Sequence, residues 1–338
     1  MPQPYRILKV SGTMLIFVVL AAVTLWASAA LYFDFPIERL RLPLSILYLA
    51  AVSLALFWYR GRGTGVAMGF AAFALAVAWW LSLKPSNFRT WQPDVAETAW
   101  AEINGDTVII HNFRNCDYRA EFDYTPHWET RSYDLRKLRG IDVFFTYWGS
   151  PWIAHPIVSF DFGDQGYVAL SIETRKEVGE TYSAFRGFFR YYELIYTISD
   201  ERDVVRLRTN YRHGEEVYLF HTKATVEQAH VIFLDYLARA NRMHEHAEWY
   251  NALTNNCSTN IAPYIAQAQH ERVPLDYRLV LNGRADELLY ERGDIETAGL
   301  PFSTLKEKAH INAVARTAND SPEFSSLIRR NRPGFPAN

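Results

Sequence analysis

The chain has 338 residues, of which 49% are hydrophobic, 15% aromatic and 21% charged. That apolar fraction supports a packed core and excludes global disorder, and the length allows one or two domains. With 35 basic against 37 acidic residues, a net charge of −2 and no basic block, nucleic acid is not an expected partner. Two cysteines exclude a disulfide scaffold and a four-cysteine zinc site.

Charge is absent between Lys9 and Asp34, from Leu42 to Tyr59 and from Gly63 to Leu83. These runs (10–33, 42–59 and 63–83) are about 24, 18 and 21 residues long, against the ~20 that span a bilayer as helix. Buried helices of a soluble protein normally keep a polar face, so residues 1–83 read as a membrane region with three transmembrane helices. Ala27-Ser28-Ala29, preceded by Arg6 and Lys9, has the look of a signal-peptidase site, but the apolar run is long for a signal peptide. Cleaved or not, the first helix leaves everything after Leu83 on the same side. With Arg60 and Arg62 inside, that side is outside: a multi-pass protein of the inner membrane with a periplasmic C-terminal domain.

Residues 84–320 read as one mixed domain of short strands and helices, and 321–338 as a polar, loosely ordered tail. Asn104-Gly105 predicts a hairpin between Ala101–Ile103 and Thr107–His111. Ile141–Trp148 is a dense apolar strand, and Val204–Tyr211 with Glu216–Thr222 reads as a further strand pair turning near His213-Gly214. Thr225 and Gln228 have capping-box spacing. Ala229, Ile232, Phe233, Tyr236, Leu237 and Ala240 then mark one buried helix face.

The segment 155–175 carries chemistry. Val158, Phe160 and Phe162 alternate on one strand, and Val168, Leu170 and Ile172 on the return strand. They share a face only if paired positions sum to an even number. A three-residue loop Asp164-Gln165-Gly166, pairing 163 with 167, meets that condition and gives Gly166 the left-handed position. The opposite face then carries His155, Ser159, Asp161, Ser171, Glu173 and Arg175, with His155 diagonal to Glu173. A histidine beside a carboxylate is the base and orienter of a nucleophilic site, or simply an exposed polar face.

The matching nucleophile is Cys257. Asn255 and Asn256 are N-cap residues, and Ile261, Ile265 and Ala268 indicate a helix starting near Cys257, shortened or kinked at Pro263. A thiol in the first turn feels the positive end of the helix dipole, which lowers its pKa towards the thiolate, and its own N–H stands ready for an oxyanion. A small buried residue is the competing reading. Cys116 has no such setting and reads as structural, although a Cys116–Cys257 disulfide would block the chemistry. In His244-Glu245-His246 with Glu248, only His244 and Glu248 share a helix face, so no metal is expected. No phosphate-loop, dinucleotide or Gly-x-Ser-x-Gly pattern occurs, so no cofactor is expected.

Six blocks, taken together, resemble one family: Asn112–Asn115, Ala154–Phe160, Ser171–Arg175, Tyr192–Tyr196, Arg206–Asn210 and Tyr250-Asn251 through Asn256-Cys257. The stretch from about Arg89 to Tyr290 is similar to the N-terminal periplasmic domain of Lnb-type lipoprotein N-acyltransferases, a domain also found in membrane proteins of unassigned function. The resemblance implies a circularly permuted papain-like or NlpC-like thiol fold, with Cys257 as nucleophile and His155 as base; Glu173 as orienter follows from the hairpin. The expected class is α+β, three N-terminal transmembrane helices followed by a papain-like antiparallel-sheet-plus-helix domain. The expected activity is acyl transfer or hydrolysis through a Cys257 thioester, from membrane phospholipid to a lipoprotein amine or water. Arg175, Arg208 and Asn256 are the candidate substrate-binding residues. The alternatives are a cysteine amidohydrolase on cell-wall peptide and a non-catalytic membrane-tethered binding domain. The acyltransferases carry their membrane helices after this domain, whereas here three precede it, so fold and thiol chemistry transfer better than substrate.

Overall fold

The computed structural model describes residues 3–60, 63–268, 276–279 and 282–336. It divides into two units: residues 1–85 with 183–192, and residues 86–182 with 193–338.

The first unit holds α1 (Gln3–Asp34), α2 (Glu38–Trp58) and α3 (Gly63–Ser82). All three are long and apolar enough to cross a membrane. Small residues let them approach: a Cβ on Gly69 would lie 2.9 Å from the Leu20 side chain. Ser28 and Ser45 share a hydroxyl hydrogen bond of 2.7 Å between α1 and α2. At the end of α1, Asp34 accepts from the Trp80 indole (2.6 Å) and the Arg190 N–H (3.1 Å).

The second unit is α+β. Its strands are β1 (Trp100–Asn104), β2 (Thr107–Arg114), β3 (Asp117–Ala120), β4 (Asp123–Thr125), β5 (Trp128–Asp134), β6 (Gly140–Trp148), β7 (Ala154–Asp161), β8 (Tyr167–Arg175), β9 (Glu193–Ser199) and, after the helix α4 (Glu201–Arg206), β10 (Glu215–His221). An eight-stranded mixed sheet has the order β1-β2-β9-β8-β7-β6-β10, with β5 also on β2, and β3–β4 form a separate ribbon. Only β2 and β9 run parallel among the described strands.

The central strands carry a core on each face. Val143, Phe145, Val158 and Phe160 face α5 (Val226–Glu245), α6 (Cys257–Ala268), α7 (Ala285–Arg292) and α8 (Phe302–Ala309). Phe144, Ile157 and Ala169 face α4, α9 (Asn312–Ala318) and α10 (Phe324–Leu327). The capping box of α5 forms with both bonds, Gln228 N–H to Thr225 Oγ1 at 3.2 Å and Thr225 N–H to Gln228 Oε1 at 2.9 Å. The Asn104-Gly105 hairpin joins β1 to β2, with Gly105 at φ +60°.

Three local expectations are corrected. Residues 204–211 are not a strand. Asp200 caps α4 by accepting from Arg202 N–H, and the chain continues as a π-helical turn over Leu207–Tyr211. Adjacent Val204 and Val205 are both buried, which an alternating half-buried strand does not allow; β10 pairs with β6 instead. The 155–175 hairpin keeps its even sum, but Asp161 pairs with Tyr167, and Phe162 N–H bonds Gly166 O at 2.9 Å. The loop is thus Gly163-Asp164-Gln165, one position early, with Gly163 and Gly166 both at positive φ. The face assignment survives because parity, not loop position, decides it.

The tail is not loose. Phe324 and Ile328 are fully buried, and Arg329 bonds Asp142 Oδ2 (2.7 Å) and both oxygens of Glu201 (2.6 and 2.8 Å) while stacking on Tyr167. A buried guanidinium needs that many acceptors, and the two acidic residues are on the sheet and α4, so the polar tail is the sheet's countercharge.

Candidate active site

His155, Ser171 and Glu173 project from one face of β7 and β8. Extending the observed register by one further pair on that face sets His155 directly opposite Glu173, not diagonal to it. Ser171 stands between them: its hydroxyl donates to Glu173 Oε1 at 2.7 Å and lies 2.7 Å from His155 Nε2. The direct His155–Glu173 separation is 3.8 Å. Serine has one proton, and Glu173 receives it. Ser171 Oγ therefore accepts from His155 Nε2–H, which leaves the lone pair of the neutral imidazole on Nδ1.

Arg208 completes this cluster from the π-helical turn. It donates to Glu173 Oε1 at 3.0 Å and to Glu215 Oε2 at 3.2 Å. Burial raises the Glu173 pKa, but Arg208, followed by His155, outweighs it and holds the carboxyl well below the usual carboxylate range. Burial, then Arg208, pushes the His155 imidazole down to about 3.

Cys257 begins α6, as its sequence context predicts. Asn256 is the N-cap: its Oδ1 accepts from Ser258 N–H (2.9 Å) and Thr259 N–H (3.1 Å), and its Nδ2 donates to Ala252 O. The thiol does not have the depressed pKa expected of it. Burial pushes it up to about 11, against the Ser258 hydroxyl and the backbone N–H groups of Ser258 and Cys257, which favour the thiolate. Desolvation of a thiolate outweighs the dipole of one short helix. The Sγ lies 4.0 Å from Ser258 Oγ and 3.8 Å from Asn282 Nδ2.

The imidazole and the thiol share no hydrogen bond. The ring of His155 projects from the α4 face, while α6 packs on the α5 face, where Ser258 and Ile261 meet Pro156 and Val158. The two groups approach at the start of β7. Asn282 accepts from Ala154 N–H at 2.8 Å, one residue before His155, and its amide reaches the sulphur. The charge of Arg208 acts on both Cys257 and His155. Beside Asn282, Gly283 donates to Trp152 O at 3.0 Å, holding the β6–β7 loop. Next to Ser258 a cavity of about 350 Å³ runs between sheet and helices, walled mainly by Val143, Phe145, Val158, Ile232, Ile261 and Leu288.

Two proposed ligand residues have their side chains engaged within the fold. Arg175 is buried, donating to Val95 O, Ala96 O and Asn87 Oδ1 and stacking on Trp91. Its guanidinium ties down the 87–96 segment, and the side chain of Asn256 caps α6. Arg208 remains at the site, engaged by two carboxylates. Cys116 and Cys257 are both free thiols, and burial drives the Cys116 pKa up to about 12. His244 bonds Thr98 Oγ1, and Glu248 pairs with Arg239. Ser171, Ser258 and Asn282 went unnamed as site residues. Ser171 was legible in the Ser-x-Glu alternation, whereas Asn282-Gly283 reads only as a turn.

Residues 124–283 match the family model of the Lnb N-terminal periplasmic domain. That stretch is similar to the Lnb N-terminal periplasmic domain. His155, Ser171, Glu173, Arg208, Cys257 and Asn282 all lie within the Lnb domain match. No curated protein and no solved structure matches the chain significantly. Three helices long and apolar enough to cross a membrane precede this region of similarity to a periplasmic domain.

Proposed function

We propose that this Lnb-like chain is a multi-pass inner-membrane thiol acyltransferase or acyl hydrolase with a permuted papain-like domain in the periplasm. Cys257 is the nucleophile, His155 the base, and Glu173, through Ser171, the orienter of the imidazole. In the first step the Cys257 proton passes to His155 Nδ1 and the sulphur attacks the carbonyl of a phospholipid ester. The carbon–oxygen bond breaks, and the leaving alkoxide takes the proton back from His155. In the second, a lipoprotein amine or water attacks the thioester, the carbon–sulphur bond breaks and the thiol is restored.

The free state has no His155–Cys257 hydrogen bond, so the reading requires the two groups to close on substrate binding. The observation that carries it is the largely apolar cavity of about 350 Å³ beside Ser258, which suits an acyl chain better than a cell-wall peptide.

The test is incubation of detergent-solubilised protein with acyl-labelled phospholipid, with and without an amine-terminated lipopeptide, and separately with soluble muropeptide. Label leaving the phospholipid in wild type but not in Cys257→Ala is the expected result. Muropeptide cleavage without lipid turnover overturns the substrate class in favour of the amidohydrolase. Full cellular function of Cys257→Ala overturns catalysis in favour of a tethered binding domain.

A further inference from the structure

We propose that Asn282 is a positioning residue for Cys257: with Ser258 it forms a pair of side-chain donors that stabilises the thiolate when the sulphur loses its proton. The inference rests on the thiol reading of the site given above and assigns the stabilisation of the thiolate to groups other than the imidazole.

The direction of each donor follows from its partners. Asn282 Oδ1 accepts from Ala154 N–H at 2.8 Å, so the amide cannot be turned round without facing a donor with a donor. Its Nδ2 must therefore face α6, where it lies 2.6 Å from Ser258 Oγ and 3.8 Å from Cys257 Sγ. One amide hydrogen goes to Ser258 Oγ. Having accepted that bond, Ser258 keeps its own hydroxyl hydrogen, and Cys257 Sγ is 4.0 Å away. The second amide hydrogen is a further side-chain donor within reach of the sulphur, beside the backbone N–H groups of Ser258 and Cys257. Asn282 and Ser258 are both buried, so water does not replace either donor cheaply.

This arrangement does work that a packing residue would not. A cap or a loop tie needs only the Oδ1–Ala154 bond. The amide nitrogen faces the one nucleophile of the site, and hydrogen bonds to the charged form of a group lower its pKa. The imidazole makes no hydrogen bond to the sulphur, whereas both members of this pair lie within 4.0 Å of it.

The experiment is the pH dependence of iodoacetamide alkylation at Cys257, read by peptide mass spectrometry on the full-length, detergent-solubilised chain. The midpoint reports thiolate stability, and the high-pH plateau reports access, so the two are separable. Asn282→Ala is expected to raise the midpoint by about one unit, about tenfold slower alkylation on the rising limb. Asn282→Asp is expected to raise it further. Its carboxylate would accept the Ser258 hydroxyl hydrogen and place a like charge beside the sulphur. Ser258→Ala removes a single oxygen, tests the pair independently should the Asn282 variants not fold, and is also expected to raise the midpoint. Buried Cys116 serves as the internal gauge of folding. An unchanged or lowered midpoint in Asn282→Ala or Ser258→Ala, with Cys116 still protected, overturns the proposal. Alkylation needs no acyl substrate, so this outcome and failure of the acyl-transfer reading are distinguishable.

Discussion

Gly283→Ala separates the placement of the 282–284 turn from every assumption about chemistry. A Cβ at this position would lie 2.2 Å from Pro151 O, 2.3 Å from Trp152 C and 2.6 Å from Ile153 N. All three are backbone atoms, so no side chain can rotate away. Restoring ordinary contact requires the β6–β7 loop to retreat by about 1 Å, and the overpacking costs about 1–3 kcal/mol. The same retreat stretches the Gly283 N–H to Trp152 O bond of 3.0 Å, worth about 1 kcal/mol more. The sum, about 2–4 kcal/mol, corresponds to a fall in unfolding midpoint of about 4–16 °C for a domain of this size. The assay is thermal unfolding of the detergent-solubilised chain followed by near-ultraviolet circular dichroism. Gly149→Ala is the control. Gly149 has φ +65° with nothing within 4 Å of its Cβ position, so only backbone strain of about 1 kcal/mol is expected. A Gly283→Ala variant no less stable than Gly149→Ala would refute the close approach of turn and loop. With it would go the route by which Asn282 reaches both Ala154 and Cys257.

Arg329→Ala leaves the Glu201 and Asp142 carboxylates buried with their guanidinium gone, and is expected to cost about 3–5 kcal/mol, read as the same thermal midpoint. Ser171→Ala takes away the acceptor of His155 Nε2–H, and the acyl-transfer rate is expected to fall at least about tenfold, measured under single turnover. The pH profile follows from the two shifted groups. His155 at about 3 is already neutral above pH 5, while the Cys257 thiol at about 11 is still protonated at pH 7. The thiolate fraction, and with it the alkylation rate, is expected to climb about tenfold per unit between pH 6 and 9. A plateau already reached near pH 6 would indicate a thiolate–imidazolium pair instead.

Much of the site was legible because periodicity and caps are local. The alternation over 155–175 placed His155, Ser171 and Glu173 on one face even though the turn fell one residue early. The Asn-Asn before Cys257 marked the start of α6. What failed depends on tertiary context. Val204-Val205 has the composition of a strand, but the Asp200 cap starts a helix there, and both side chains pack into one core beneath the sheet. Arg175 and Arg208 look alike in sequence; one ties down the 87–96 segment and the other pairs with Glu173 and Glu215. The thiol shift changed sign because burial of the first turn by distant segments outweighs its helix dipole. The tail's polarity concealed a buried arginine whose partners lie far back in the chain, Arg329 to Asp142 and Glu201.

The central claim is that Cys257 carries an acyl group. The direct measurement is the intact mass of wild type and Cys257→Ser after brief incubation with phospholipid, before and after hydroxylamine. The account predicts an increase equal to one acyl chain on wild type alone, removed by hydroxylamine. An adduct that persists in Cys257→Ser, or none on wild type in a quench-flow series that resolves the first turnover, would contradict it.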